Sequence, residues 1–225
     1  MGEVLCEWSV RACFGRTHSD TCNTLLDLGT VLQERNALDE AEEVAREALR
    51  LAEDMHKGRD HVDMVLCMRH VGVLCKDSGR LEEALRLLEA SLSMERRLNQ
   101  GKADRGVAAS MCELGDLFEA LGDMDAALRM MTGSLAMLRR VHAHGDHVDI
   151  VTALHRLGTL YTSMHRWSNA DFALDQALAR ARRLHGDDGD HPDVAALLYS
   201  RGSLFADMHR YTDAENALQS ALEML

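Results

Sequence analysis

Five glycines recur at an almost constant spacing, and this repeat limits the folds that the chain can adopt. They lie 43, 43, 43 and 44 residues apart, at Gly29, Gly72, Gly115, Gly158 and Gly202. Twelve residues after each of them is an alanine: Ala41, Ala84, Ala127, Ala170 and Ala214. Apolar residues lie four before and three after each glycine, which is the spacing of one face of an α-helix. A period of this length predicts an array of similar helical units.

A second helix follows the first in each unit. Nineteen residues after each glycine is another small residue, Ala or Ser, and leucine follows it every time. Glycine within a helix costs about 1 kcal/mol relative to alanine, so its repeated use at one position predicts the close approach of a neighbouring helix. The pattern therefore predicts antiparallel pairs, helix A followed by helix B, that stack into a solenoid. A single proline and 4% aromatic residues agree with an all-α chain.

These positions resemble the tetratricopeptide repeat. Glycine at its eighth place, alanine at its twentieth and Ala or Ser at its twenty-seventh correspond to Gly29, Ala41 and Ala48. The longer period, and the phrase that runs from Gly189 to Ala195 (GDHPDVA), are similar to the variant found in kinesin light chains. The resemblance implies a right-handed α-α superhelix of about five helix pairs, 43–44 residues each, that serves as a scaffold for other proteins.

The repeat divides the chain into five units, residues 18–60, 61–103, 104–146, 147–190 and 191–225. Residues 1–17 align with the second half of a B helix, so we expect them to be the remnant of a preceding repeat. Apolar residues at the two ends, among them Trp8, Val10, Phe205, Leu218, Leu222 and Leu225, predict self-association through surfaces that no further repeat covers.

Composition excludes several classes of function. The net charge of −12 argues against a nucleic-acid platform and favours net basic protein partners. The chain has no run of 18 apolar residues that could cross a membrane. Its six cysteines lie in the first half without a CxxC pair, and we interpret them as reduced thiols of a cytoplasmic protein, most of them buried. Because no nucleotide-binding, hydrolase or metalloprotease motif is present, we expect neither an enzyme nor a cofactor.

A His-x-Asp motif recurs before helix A, at His18, His61, His147 and His191. We interpret it as the helix N-terminus, with an acidic residue in the first turn. The alternative is a metal site formed by the His/Asp loops, including the cluster of His142, His144, Asp146, His147 and Asp149 and that of His185, Asp187, Asp188, Asp190 and His191. Equivalent residues of stacked repeats lie about 10 Å apart, so we predict no metal ligand.

Three arginine pairs recur 43 residues apart: Arg96-Arg97, Arg139-Arg140 and Arg182-Arg183. Cations in the last turn of helix B complement the helix dipole. A basic stripe for phosphate or for an acidic peptide is the alternative.

The A helices are predicted to line a concave groove that binds a peptide or helical segment of a partner. Positions beside the packing positions supply its lining: Asn23, Gln33, Arg69, Lys76, Cys112, Asp116, Glu119, His155, Thr159, Tyr199 and Ser203. Among these, Asp116 and Glu119 are expected to form an acidic patch. The alternative function is a purely architectural spacer within a larger protein.

Overall fold

The computed structural model describes residues 19–143, 145–186 and 191–224, and these ranges contain ten α-helices and no strand. The chain divides into two compact units, Met1–Lys102 and Ala103–Leu225. The helices of the first unit are α1 (Ser19–Glu34), α2 (Leu38–His56), α3 (Val62–Asp77) and α4 (Leu81–Leu98). Those of the second are α5 (Arg105–Ala120), α6 (Met124–Val141), α7 (Val148–Ser163), α8 (Trp167–His185), α9 (Pro192–Asp207) and α10 (Tyr211–Glu223).

Each unit is a stack of helix pairs, which confirms the predicted all-α class. In the first unit α1 packs on α2 and α3 on α4, while α3 also contacts both helices of the preceding pair. In the second unit the pairs are α5–α6, α7–α8 and α9–α10, and α6 also packs against α7 and α8 against α9. The helix bounds do not show to which repeat the residues of each loop belong, so the predicted repeat boundaries stay a prediction. The proposed remnant of a preceding repeat, residues 1–17, lies outside the described residues. Among the described helices, none combines the length and apolar character that crossing a bilayer requires.

The predicted start of helix A is confirmed where the structure describes it. His61, His147 and His191 are extended N-cap residues, and Nδ1 of each accepts a hydrogen bond from the backbone N–H two residues later. Asp104 has the same role in the remaining repeat, where its carboxylate accepts from two backbone N–H groups. Pro192 occupies the first turn of α9, where its missing N–H costs nothing.

The turn between helix A and helix B requires one residue with positive φ. Gly79 and Gly122 hold this position with φ of 78° and 80°, and Asn36, His165 and His209 adopt the same conformation in the other repeats. Left-handed backbone brings a cost for every residue that has a β-carbon. The turn thus requires a left-handed backbone conformation at this position, which glycine adopts without strain.

Substitution of Gly122 by alanine is expected to lower the free energy of unfolding by about 1 kcal/mol. A β-carbon at this position would meet nothing within 4 Å, so the loss would come from backbone strain alone. Gly145 is the matched control, because it also faces open space but has no positive φ. Urea unfolding of the two variants measures the difference, and equal stabilities for both would refute this account.

The repeated glycines of helix A lie where helix B comes closest, as predicted. A β-carbon added at Gly72 or Gly158 would lie within 3 Å of the leucine that follows sixteen residues later, Leu88 or Leu174. Gly115 and Gly202 face Met131 and Leu218 in the same way. The first repeat differs, because Ala45 holds the corresponding position and Gly29 instead approaches His70 of α3. The glycine thus makes room for a large apolar side chain of its own helix pair.

Small polar side chains also join the two helices of a pair. The hydroxyl of Ser91 on α4 donates to the carbonyl of Val65 on α3 at 3.1 Å, and Ser134 on α6 donates to that of Ala108 on α5 at 2.7 Å. Cys22, Cys67, Cys75 and Cys112 are buried free thiols, in agreement with the prediction that most of the cysteines are buried. Cys6 and Cys13 lie outside the described residues.

Candidate functional site

The predicted groove residues all lie on A helices, and they differ widely in exposure. In the first unit Asn23 is exposed, and Gln33, Arg69 and Lys76 are half-buried. In the second unit Thr159, Tyr199 and Ser203 are exposed, Asp116, Glu119 and His155 are half-buried, and Cys112 is buried. Side chains of successive A helices contact one another, and these contacts determine which predicted residues remain available to a partner.

In the first unit, Asp77 engages two of the predicted residues. Nε2 of Gln33 on α1 donates to Oδ2 of Asp77 on α3 at 2.6 Å, and Nζ of Lys76 lies 3.7 Å from Oδ1. Arg69 differs, since its Nη1 atom is buried and has no hydrogen-bond partner among the described residues. Its charge, together with burial as the larger cause, lowers the pKa of the neighbouring His70. The charge of Lys76 is thus partly offset by Asp77, whereas Nη1 of Arg69 has no such partner among the described residues.

In the second unit, the predicted acidic patch is partly neutralised, because one arginine faces two carboxylates. Nη1 of Arg156 on α7 lies 2.6 Å from Oδ2 of Asp116 and 3.3 Å from Oε1 of Glu113, both on α5. Burial acts to lower the pKa of Arg156, but the two carboxylates outweigh it and the pKa is raised. Arg156 thus forms ion pairs that join two consecutive A helices. Asp116 is therefore not an unpaired carboxylate, as its predicted position in the groove had suggested.

Two further contacts repeat this arrangement along the A helices. The Ser163 hydroxyl donates to Oε1 of Glu119 at 2.7 Å, and Nε2 of His155 lies 2.6 Å from Oγ of Ser200. Burial and the neighbouring Arg156 lower the pKa of His155. The partners in these pairs are 44 and 45 residues apart, one repeat period. We did not predict Arg156, Ser163 or Ser200, although polar residues one period apart were the signal that could have identified them.

Cys112 does not belong to the exposed surface, contrary to its place in the predicted lining. Its Sγ atom lies 3.1 Å from Oγ of Ser134 on α6, inside the helix pair. Burial raises the pKa of this thiol, and the hydrogen bond with Ser134 opposes that shift. The helical spacing placed Cys112 at the edge of the packed stripe, and the structure places it within the core.

Tyr199 is a large side chain that remains exposed on the A helices of the second unit. It is 64% exposed, and its hydroxyl has no hydrogen-bond partner among the described residues. One turn to either side are the small exposed residues Ala196 and Ser203. On the preceding A helix, α7, the exposed Thr159 donates its hydroxyl to the backbone carbonyl of Arg156. An aromatic ring with small neighbours offers a flat apolar contact to a partner.

The arginine pairs lie in the last turns of B helices, as predicted. Arg97 binds Asp60 through two hydrogen bonds of 2.6 and 3.0 Å, and Arg183 binds Asp146 in the same way at 2.5 and 3.2 Å. Each pair joins a helix terminus to a loop 37 residues earlier. These two arginines therefore serve the stack itself, and a continuous basic stripe is not formed by them.

The last repeat differs from the other four in the residue that precedes its glycine. Arg201 replaces the leucine common at that position, and it forms ion pairs with Asp171 and Asp175 on α8. Phe205 is buried beneath the guanidinium groups of Arg201 and Arg210, whereas Leu222 is 72% exposed. Trp8, Val10 and Leu225 lie outside the described residues, so self-association through the ends stays a prediction.

Family models support the repeat assignment over most of the chain. Models described as tetratricopeptide repeat match residues 21–63, 64–140, 106–183 and 149–225. Comparison with curated protein sequences gives no match.

Solved structures with the same fold cover 92% of this chain. BtubC (BKLC) of P. vanneervenii superposes with a TM-score of 0.75 at 20% identity over 80% of its own length. A kinesin-light-chain-type protein of Podosopora anserina with nearly identical TPR-like repeats gives 0.73 at 16% identity over 95% of its length. A Rap protein, solved in complex with Competence and Sporulation Factor, gives 0.66 at 17% identity over 64% of its length. With these helix pairs, glycine contacts and family matches, the chain belongs to the tetratricopeptide repeat family, and its fold is that of the kinesin-light-chain-like members.

Proposed function

We propose that this protein is a non-catalytic interaction scaffold, and that the A helices of its second unit bind a peptide segment of a partner protein. Tetratricopeptide repeats generally mediate contacts between proteins, which supports the broader part of the proposal. The Rap protein with the same fold was solved in complex with another factor. The proposal that these A helices bind a peptide is based on Tyr199, which is exposed and has small residues one turn before and after it.

The chemistry of this surface favours a peptide read mainly by apolar contact. Asp116, Glu119 and His155 are engaged by neighbouring A helices, so their hydrogen-bonding capacity is partly used. Tyr199, Thr159 and Ser203 remain exposed. Tyrosine supplies a large contact area at low entropic cost and is enriched at the energetic centres of interfaces. We therefore place the anchor of the bound segment on Tyr199.

The net charge of the chain adds a long-range preference. At −12 it attracts net basic segments and accelerates their encounter, and salt screens this attraction. The ion pair between Asp116 and Arg156 reduces the contribution of Asp116 to this attraction. The partner is thus expected to be net basic overall, with its contact residues at Tyr199 apolar or small.

Selection of random peptides on the immobilised protein tests this proposal, and substitution of Tyr199 is the decisive variant. Tyr199→Ala is expected to weaken the selected peptides about tenfold, because it removes the anchor without opening a cavity. Phe172→Ala is the matched control, since Phe172 is 69% exposed but lies on the B helix α8. Affinities are measured by isothermal titration calorimetry, and circular dichroism checks the fold of both variants.

Two results would contradict the proposal. Equal losses for Tyr199→Ala and Phe172→Ala would place binding on another face. Failure to enrich any peptide over a blank support would favour an architectural spacer. Enrichment of acidic instead of basic peptides would refute the proposed preference for basic partners, but not the proposed anchor at Tyr199.

A further inference from the structure

Two buried thiols of the first unit are in contact with each other. Cys22 lies on α1 and Cys67 on α3, and their side chains form a hydrogen bond between these two A helices. Both residues belong to one core cluster, with exposed fractions of 1% and 0%. The helices α1 and α3 also pack directly on each other. Consecutive A helices of this unit thus meet through a pair of cysteines.

The hydrogen bonds of this pair run in one direction. Sγ of Cys22 donates to the backbone carbonyl of Ala48 on α2 at 3.7 Å, so the Cys67 thiol is the donor between the two sulfur atoms. This bond lowers the pKa of Cys22, although burial and the Asp63 carboxylate oppose the shift. The same bond, together with burial, raises the pKa of Cys67. Cys22 is therefore the thiol that ionises first, and the Cys67 sulfur is directed at it.

The other two cysteines of the described residues are buried beside different groups. Sγ of Cys75 lies 3.7 Å from Nη2 of Arg46, and Sγ of Cys112 lies 3.1 Å from Oγ of Ser134. Burial is the main cause that raises the pKa of both thiols. Each of them thus meets a side chain with which it cannot form a disulfide, so the two serve as internal controls for the pair.

Core packing alone does not require sulfur at these two positions. The residues that correspond to Cys22 in the other repeats are apolar: Val65, Ala108, Val151 and Ala195. Those that correspond to Cys67 are Thr24, Ser110, Ala153 and Leu197. The same helix contacts are therefore made elsewhere in the chain by residues without a thiol, and the chemistry that two adjacent thiols add is oxidation.

We infer that Cys22 and Cys67 form an oxidation site, at which a peroxide converts the two thiols into a disulfide that joins α1 to α3. The Cys22 thiolate attacks one oxygen of the peroxide, the O–O bond breaks, and hydroxide leaves. Cys67 then loses its proton and attacks the sulfur of the Cys22 sulfenic acid, so that the S–S bond forms and the S–O bond breaks. Two thiols and one hydrogen peroxide thus give one disulfide and two waters.

Burial of the pair sets how the oxidant reaches it. Hydrogen peroxide is only slightly larger than water, and native proteins open locally without unfolding as a whole. Such an opening admits the peroxide to Cys22, and closure returns Cys67 to the oxidised sulfur.

The disulfide would constrain the first unit. It would close a loop that contains the whole of α2, which restricts the unfolded chain and stabilises the folded one. The hydrogen bond from Gln33 to Asp77 spans the same two helices near their opposite ends. With both links present, the spacing of α1 and α3 is fixed along their length, and with it the surface that these A helices present.

Peptide mapping of the full chain under non-reducing conditions tests this inference. Each of the six cysteines lies in a different tryptic peptide, so every possible pair gives a distinct mass. After treatment of the folded protein with hydrogen peroxide, we expect peptide 17–35 linked to peptide 60–69, and the link removed by dithiothreitol. Cys75 and Cys112 are expected to remain open to an alkylating reagent that is added after denaturation.

Variants taken from the protein's own repeats separate oxidation from packing. Cys22→Val introduces the residue found at position 65, and Cys67→Ser the residue found at position 110, so both are expected to fold. Peroxide is expected to raise the melting temperature of the wild type, but not of these two variants. Cys112→Ala is the control, because it removes a buried thiol outside the pair and should keep both the link and the rise. Circular dichroism checks the helices of every variant.

Three results would overturn the inference. The first is the absence of the link between peptides 17–35 and 60–69 in the peroxide-treated wild type. The second is an equal yield of this link in urea, because the folded contact would then not direct the reaction. The third is a Cys22 that forms links to Cys75 as often as to Cys67.

Discussion

Replacement of Gly158 by valine is expected to lower the free energy of unfolding by about 3 kcal/mol. A β-carbon at this position would lie 2.7 Å from both Cγ and Cδ2 of Leu174, and 3.5 Å from its backbone nitrogen. Leu174 is buried, so it cannot turn away without moving α8 from α7. Urea unfolding followed by circular dichroism measures the loss.

Gly133→Ala provides the control for helix propensity. Gly133 also lies within a helix, but its added β-carbon would meet only the terminal methyl of Met111, at 2.5 Å. The end of a methionine side chain can move, and alanine gains about 1 kcal/mol over glycine in a helix. This variant is expected to be as stable as the wild type or more so. A large loss for Gly133→Ala, or none for Gly158→Val, would refute the explanation based on helix contact.

Leu174→Ala is expected to cost about 2–5 kcal/mol, the range for a buried leucine whose removal leaves a cavity. Leu174 belongs to the core of the second unit, which extends across all six of its helices. Leu222→Ala is the matched control, because Leu222 is 72% exposed and its truncation removes little buried surface. Stability is compared by the same urea unfolding.

The two sites are also expected to be coupled. When Leu174 is truncated, the atoms that would collide with a β-carbon at Gly158 are removed. Gly158→Ala should therefore stabilise the Leu174→Ala variant, although it is strained in the wild type. Simple addition of the two single effects would show that the glycine is required for some reason other than this contact.

Much of the fold could be predicted from the sequence, because its determinants are local and repeat. The spacing of Gly29, Gly72 and their equivalents indicated helix A, and the small residues near Ala48 indicated helix B. The His-x-Asp motif predicted where helix A begins, since a cap depends on residues only two or three positions away. The glycines and the small residues belong to the described helices, and His61, His147 and His191 lie one residue before them.

The candidate site was predicted less completely. Helical spacing correctly placed Tyr199, Thr159 and Ser203 on exposed positions of A helices. It also placed Cys112 there, and the structure buries this residue against Ser134. A residue at the edge of the apolar stripe can face either the core or the solvent. The rotation of the neighbouring helix decides between these two environments.

The sequence by itself determined the class of the fold, the helix pairs, and the close approach of helix B to four of the repeated glycines, Gly72, Gly115, Gly158 and Gly202. Helix periodicity and capping depend on a short stretch of chain, so they can be predicted from the sequence alone. The tertiary structure alone decided that Arg156 pairs with Glu113 and Asp116, and that His56 meets His61 and Asp63 in one loop. Such contacts depend on the distance and rotation between helices, and a difference of a few ångströms separates an ion pair from unconnected side chains.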